Sequence, residues 1–280
     1  MNYYIICDYR EKFQSYMNGK RIYNDHISQQ SLNLLIETIK KCGYNVEYFG
    51  GVDTLIEYYH NKVKMPEGYY INLNDGLIEK HKRGQTPLLL ELLKVPFSGP
   101  DVFHTLLASD KYFSSLCVRE YGITCPNAVQ ILDNKSIDCI KKLSLPVIIK
   151  PNCEGSSIGI SSNSFCNDYD DAITYCSNML TQYDELIVEE YISGYEVTNL
   201  VVSKKNGKIL VNEPLVVSLS NQLYLNDEIF GIEEKYHGLR NYWLASQVLS
   251  KDIVDSIKKV SEQIANIFHL SNFFRIDYRI

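Results

Sequence analysis

Leu145-Pro146-Val147-Ile148-Ile149-Lys150-Pro151-Asn152-Cys153-Glu154-Gly155-Ser156-Ser157-Ile158-Gly159-Ile160 opens as a short apolar, β-rich run ending in a lysine and a proline. A polar turn bracketed by two glycines follows, and the chain then returns to apolar sequence. This order predicts strand, loop, strand. Such a hairpin can set an ammonium from the strand, with backbone N–H groups and hydroxyls from the loop, around one anionic ligand. Polyphosphate is the natural candidate. The segment differs from the phosphate loop in which glycines precede a Gly-Lys-Ser/Thr ending, so that type of mononucleotide fold is not expected. Taken alone, the same pattern also describes an exposed hairpin whose glycines permit turning and whose serines cap it.

Downstream of this hairpin, Tyr169 to Leu180 reads as a helix with an acidic start, which suits the positive end of the helix dipole. Glu185 to Val188 is a strand running into Glu189-Glu190-Tyr191-Ile192-Ser193-Gly194-Tyr195-Glu196. Val197 to Val202 and Ile209 to Val217 are strands joined through the turn signal Asn206-Gly207, so hairpins replace simple alternation here. Asn221 to Asn241, with Lys235, His237 and Arg240, has no persistent period and reads as a surface loop or a lid. Ile253, Ile257, Val260, Ile264, Ile267 and Phe268 mark a core-packed helix over 250–270. Phe273 to Ile280 is a final strand in which Arg275 and Asp277, two residues apart, share a face and could address a phosphoryl group and its metal.

Upstream, Tyr3 to Cys7, a helix from Ser31 through Ile39, and Val46 to Phe49 form a strand–helix–strand unit. Residues 53–68 read as less regular. Tyr69 to Leu73 is a third strand, and Thr86-Pro87 opens a helix with proline at a tolerated position. Val95 to Pro100 breaks it, closing an N-terminal parallel α/β domain. A second helical pattern over 101–122 carries a break at Asp110-Lys111, and Ala128 to Leu132 and Ser136 to Leu143 bring the chain to the hairpin.

The 280 residues, 45% hydrophobic and 22% charged, supply ample core for more than one domain. A net charge of −6 argues against a nonspecific nucleic-acid surface. The eight cysteines form no Cys-x-x-Cys pair and no His/Cys metal spacing. With no secretory leader they read as reduced thiols of a cytoplasmic protein, and no run is long enough to cross a bilayer. Cys153, beside the loop, reads as a structural thiol rather than a nucleophile, since no histidine is paired with it in the sequence.

The hairpin, the acidic interstrand segment and the terminal Arg275-Ile276-Asp277, together with Thr86-Pro87 to Gly99 and Asp110-Lys111, resemble in order and spacing the ATP-grasp superfamily, specifically its D-alanine–D-alanine ligase-like branch. The resemblance runs from about Arg83 to Ile280 and more weakly through the first domain. It implies an α/β and α+β ATP-grasp architecture: an N-terminal α/β domain over 1–100 and two nucleotide-clasping subdomains over 101–185 and 186–280. The implied activity is ATP-dependent ligation of a carboxylate to an amine through an acyl phosphate, with ATP and Mg²⁺ as cofactors. Lys111 and Lys150 would meet the ATP phosphates, with Ser156 and Ser157 in the covering loop and Ser156 also near the substrate. Glu189 would lie near the adenine amino group, Glu190 through Ile192 would supply hinge contacts, and Glu196 would accept from the ribose hydroxyls. Lys235 resembles the lysine of the substrate-side loop, Arg275 the transition-state cation and Asp277 a magnesium ligand.

Two departures shape these expectations. Members of the family continue past the position of Asp277 into a strand carrying a glutamate and an asparagine for magnesium. The expectation is therefore a longer chain, a homodimer or second segment that completes the C-terminal site, or a reduced metal site. After the first strand the sequence reads Cys7-Asp8-Tyr9-Arg10-Glu11-Lys12, without the family's glycine-rich turn and glutamate phrase, so the substrates implied are small carboxylates and amines, amino acids among them, rather than D-alanine in particular. The alternative is a nucleotide-binding protein with weak or no catalysis, acting as a structural or regulatory partner; transfer of phosphate to another acceptor is a third reading.

Overall fold

The computed structural model describes residues 1–13, 26–77, 80–204, 207–226, 229, 240–270 and 272–280. These divide into two compact units, Met1–Ser109 and Asp110–Ile280.

In the first unit, β1 (Asn2–Ile6), α1 (Gln29–Lys41), β2 (Asn45–Gly50), α2 (Val52–His60), β3 (Tyr69–Asn72), α3 (Gln85–Leu92) and α4 (Val102–Ser109) follow one another. The three strands form a parallel sheet in the order β2-β1-β3. Helices on both faces require an apolar run rather than alternation in the central strand. Accordingly Ile6 packs with Leu55, Tyr70 and Leu90 on one side, while Ile5 and Cys7 pack with Leu32 and Val46 on the other. The α1 helix starts where the Ser28 hydroxyl accepts the Ser31 N–H and stops at Cys42 and Gly43, whose φ of +86° suits the residue after a C-cap.

Helix α2 corrects the expectation that residues 53–68 lack regular structure. Its N-cap, Gly51, brings no side-chain acceptor. The acceptor is instead Asp8, two residues past β1, whose Oδ2 takes the Val52 N–H at 2.9 Å. A cap donated from 44 residues away leaves no local start signal to read.

The second unit opens with α5 (Lys111–Glu120), capped by Asp110, whose Oδ1 accepts the Phe113 N–H at 2.9 Å. Then come β4 (Ala128–Ile131), a 3-10 helix (Ile137–Lys142), β5 (Val147–Pro151), β6 (Phe165–Cys166), α6 (Tyr169–Met179) and β7 (Leu186–Glu190). These strands pair antiparallel in the order β4-β7-β5-β6. One face carries Val147, Ile149, Leu186 and Val188 onto α6 and the 3-10 helix; the other carries Ile148, Lys150, Ile187 and Glu189.

A second antiparallel sheet follows, from β8 (Glu196–Ser203), β9 (Ile209–Leu219), β10 (Arg240–Leu244), α7 (Ala245–Val248), α8 (Lys251–Ile267) and β11 (Asn272–Arg279), with strand order β10-β9-β8-β11. Val197 and Val216 face Val254 and Ile257 of α8, and Ser250 caps that helix. Strand β10 corrects the loop-or-lid reading of 221–241 at its last two residues, Arg240 and Asn241. Among the described residues it pairs with β9 alone, and Asn241 through Leu244 are exposed, so no inward–outward alternation marks it. Among the described residues no helix is long and apolar enough to cross a membrane, and all eight cysteines are free thiols.

Candidate active site

Lys150 is the fourth residue of β5, on the face away from α6. Its ammonium lies 2.5 Å from Glu189 Oε2, and both side chains are mostly buried. The pairing follows from register. Ile148 sits opposite Glu189 and Lys150 opposite Ile187, so Lys150 and Glu189 are diagonal neighbours on one face. Pro151 closes the strand without cost to the ladder. The Asn152 N–H bonds the Glu185 carbonyl on the β7 side, so alternation leaves the Pro151 nitrogen toward the side where β6 no longer pairs.

The loop that follows is anchored at its start and strained at its tip. Asn152 is fully buried; its amide donates to Glu185 Oε1 at 2.8 Å and accepts the Tyr112 N–H at 2.9 Å. Lys111, at the first position of α5, donates from Nζ to the carbonyl oxygens of Pro151, Asn152 and Glu154 at 2.9, 2.8 and 2.5 Å. At the tip, Ser156 and Ser157 have φ of +53° and +58°, and Ile158 N–H bonds Gly155 O at 2.9 Å. Two consecutive non-glycine residues at positive φ cost about 1–2 kcal/mol each, a strain that concentrates at ligand clamps and switches. Gly159, at φ +78°, has no room for a side chain, since an added Cβ would sit 2.6 Å from Pro151 Cγ.

The link from β7 to β8 carries the remaining expected residues. Glu190 points to the opposite face from Glu189, where its carboxylate accepts the Ser144 N–H at 2.8 Å and the Asn127 amide at 2.9 Å. The Ser144 N–H holds this carboxyl below the usual glutamate range. The side chain of Glu190 is therefore placed apart from Lys150 and Glu189, although the sequence groups all three. Ile192 offers its carbonyl and Glu196 its carboxylate to one residue of β11, Arg279, at 3.0 and 3.4 Å. Burial pushes the Glu196 carboxyl up, opposed by Arg279; Asp277 raises it further, while Lys150 and Arg275 lower it.

On β11, Arg275 Nη2 lies 3.0 Å from Asp277 Oδ2, and Thr198 of β8 donates to Asp277 Oδ1 at 2.8 Å. Cross-strand register, Asp277 opposite Thr198 and Arg279 opposite Glu196, puts these groups on the face away from α8. Asp277 is half-exposed and offers hard oxygen, which fits a cation that takes one or two carboxylates alongside phosphate oxygens and water. Asp110, Cys153 and Glu185 also bring ligand atoms within 4.8 Å of one another. A thiol in that set suits softer ions than magnesium, and Asp110 and Glu185 already serve as helix cap and amide acceptor. Lys235 lies outside the described residues. The sequence reading gave no site role to Thr198 or Arg279, and it included Tyr191 only within the hinge segment. The signal for Arg279 was present, because it continues the two-residue spacing of Arg275 and Asp277.

Comparison with known proteins follows the same segments. The family model described as D-ala D-ala ligase C-terminus matches residues 116–280, more than half of the chain. A D-alanine–D-alanine ligase of Coprothermobacter proteolyticus is 28% identical over 199 residues, which cover 70% of this chain and 62% of that relative. The solved D-alanine–D-alanine ligase of Bacillus anthracis superposes with a TM-score of 0.71 at 20% identity, covering 100% of this chain and 83% of that one. The VanG D-Ala:D-Ser ligase of Enterococcus faecalis gives a TM-score of 0.65 at 18% identity, covering 99% and 85%. At these identities the structural likeness is one of fold, and that fold is the expected combination of a parallel α/β unit with antiparallel ATP-grasp sheets. By its sequence over 116–280, this chain belongs to the D-ala D-ala ligase C-terminus family.

Proposed function

We propose that this protein is an ATP-dependent carboxylate–amine ligase that forms an amide or peptide bond. The observation that carries the reading is the set of charged pairs on the two sheets of the second unit: Lys150 with Glu189 at 2.5 Å on one, and Arg275 with Asp277 at 3.0 Å and Arg279 with Glu196 at 3.4 Å on the other. Cations and hydrogen-bond acceptors carried on two sheets suit a nucleotide triphosphate, whose two ends differ in charge. In this reading Lys150 meets the phosphates, Lys111 joins it by exchanging the loop carbonyls its ammonium now holds, and Ser156 and Ser157 cover them. Glu189 and Ile192 address the base and Glu196 the ribose. Glu190, whose carboxylate is committed to Ser144 and Asn127, contributes through its backbone. Lys235 is kept as the substrate-side lysine.

The chemistry needs no nucleophilic side chain. A substrate carboxylate oxygen takes the terminal phosphoryl group and ADP leaves; the amine then attacks the activated carbonyl, phosphate departs and a proton is lost from nitrogen. Charge develops on the phosphoryl oxygens, where Arg275 and Lys150 stabilise it. Magnesium held by Asp277 would neutralise phosphate charge. The three-part division into 1–100, 101–185 and 186–280 belongs to this reading, as do small carboxylate and amine substrates, cytoplasmic location and completion of the metal site by a homodimer or a second segment. The likeness to D-alanine–D-alanine ligases supports amino acids as the substrate class.

The test is an array of carboxylate and amine pairs with Mg-ATP and the full-length protein, reading ADP release and product mass. ADP release that needs both substrates, and hydroxamate formation when hydroxylamine replaces the amine, are expected. ATP binding without turnover across the array points to the nucleotide-binding alternative, and ATP-dependent phosphorylation of another acceptor overturns the ligase assignment.

A further inference from the structure

The link between β7 and β8, residues 191–195, joins the two sheets of the second unit, and one side chain holds it from a single side. Arg279, near the end of β11, uses each of its three nitrogens on a different partner. Nε donates to Ile192 O at 3.0 Å, Nη1 lies 3.4 Å from Glu196 Oε2, and Nη2 donates to the Tyr191 hydroxyl. Its guanidinium carbon also sits 5.1 Å from the centre of the Tyr191 ring, within cation–π range. Tyr191 extends the connection. Its ring meets Phe165 of β6 edge-on at 4.8 Å, and its hydroxyl donates to Asn226 O at 3.1 Å. Backbone bonds close the same corner, Tyr195 N–H to Ile280 O at 2.7 Å and Ile280 N–H to Tyr195 O at 3.1 Å.

We propose that Arg279 is the positioning residue of the nucleotide's base-and-ribose end, setting the Tyr191–Ile192 backbone and the Glu196 carboxylate in one fixed relation across the two sheets. This rests on the nucleotide reading above and goes beyond it, since that reading gives Arg279 no role of its own. The geometry favours arginine specifically. A planar fork with five N–H donors can serve three acceptors in different directions, whereas a lysine ammonium at the same place is one compact charge on a flexible stem. Arg279 directs its three nitrogens to residues 191, 192 and 196, the segment assigned to the base and ribose. Its effect should therefore fall on one end of the ligand.

Titration calorimetry on full-length wild type, Arg279→Met and Arg279→Lys, with Mg-ATP and separately with magnesium tripolyphosphate, separates the two ends. Arg279→Met is expected to weaken ATP at least tenfold while tripolyphosphate affinity stays within twofold. Arg279→Lys should recover part of the loss by restoring the charge beside Glu196. Hydrogen exchange on the nucleotide-free proteins gives an independent readout: the Tyr195 amide should exchange at least tenfold faster in Arg279→Met. Wild-type ATP affinity in Arg279→Met, or an equal loss for both ligands, overturns the assignment. If wild type binds no ATP, the nucleotide reading fails, and unchanged Tyr195 exchange in Arg279→Met then overturns the brace itself.

Discussion

Lys150 and Glu189 form the tightest cation–carboxylate contact of the candidate site, at 2.5 Å with little exposure on either side. A buried charge stripped of its partner is costly, about 3–5 kcal/mol. Lys150→Met therefore has two consequences: ATP affinity should fall by tenfold or more in calorimetry, and the protein should lose stability in urea. Adding Glu189→Gln should restore much of the stability and none of the affinity. Wild-type ATP binding by Lys150→Met removes the phosphate role. Glu190 makes a different prediction, because its pKa is depressed by the Ser144 N–H and the Asn127 amide. A depressed carboxyl contributes stability above its unfolded pKa, roughly 4.3, and loses it as pH falls through the lower folded value. Glu190→Gln should melt below wild type at pH 7, and the gap should close as pH drops below about 4. A gap that is constant with pH contradicts the assigned cause.

At the scale of elements, α2 depends on a carboxylate it does not own. Asp8 is buried, caps α2 through the Val52 N–H, accepts the Asn74 amide at 2.9 Å and pairs with Lys12 at 2.6 Å. Gly51 is required beside it, since a Cβ there would lie 1.9 Å from Asp8 Oδ1. Loss of a cap costs about 1 kcal/mol, and leaving a buried amide unpaired adds about 1–3 kcal/mol. Asp8→Ala should thus destabilise the protein by about 2–4 kcal/mol in urea titration, and Asp8→Asn by less. Equal stability of Asp8→Ala and wild type rules out the cap. The β5–β6 loop shows the converse arrangement, in which one lysine at the start of α5 supports another element: Lys111 bonds the carbonyls of Pro151, Asn152 and Glu154 beside two serines at positive φ.

The described residues form two units, each with its own hydrophobic clusters. In the second unit, one cluster lies beneath β5 and β7 and another beneath β8 and β9. A segment with its own core folds alone, so residues 110–280 expressed by themselves should unfold cooperatively and keep native near-ultraviolet dichroism. A fragment without a cooperative transition shows that the first unit is needed for its stability.

Much of this architecture was legible in the order of residues, because periodic burial is a local property. The spacing of Leu32, Leu35, Ile36 and Ile39, the apolar run before Lys150, and the alternation around Arg275 and Asp277 each report one element's buried face without reference to any other. The residue types at the candidate positions were likewise local information. Their partners were not, because pairing depends on strand register and on contacts between residues far apart in the chain. Only the folded chain decided that Glu189 faces Lys150 while Glu190 turns to Ser144, that Asp8 caps α2, and that Arg279 reaches Tyr191, Ile192 and Glu196 at once.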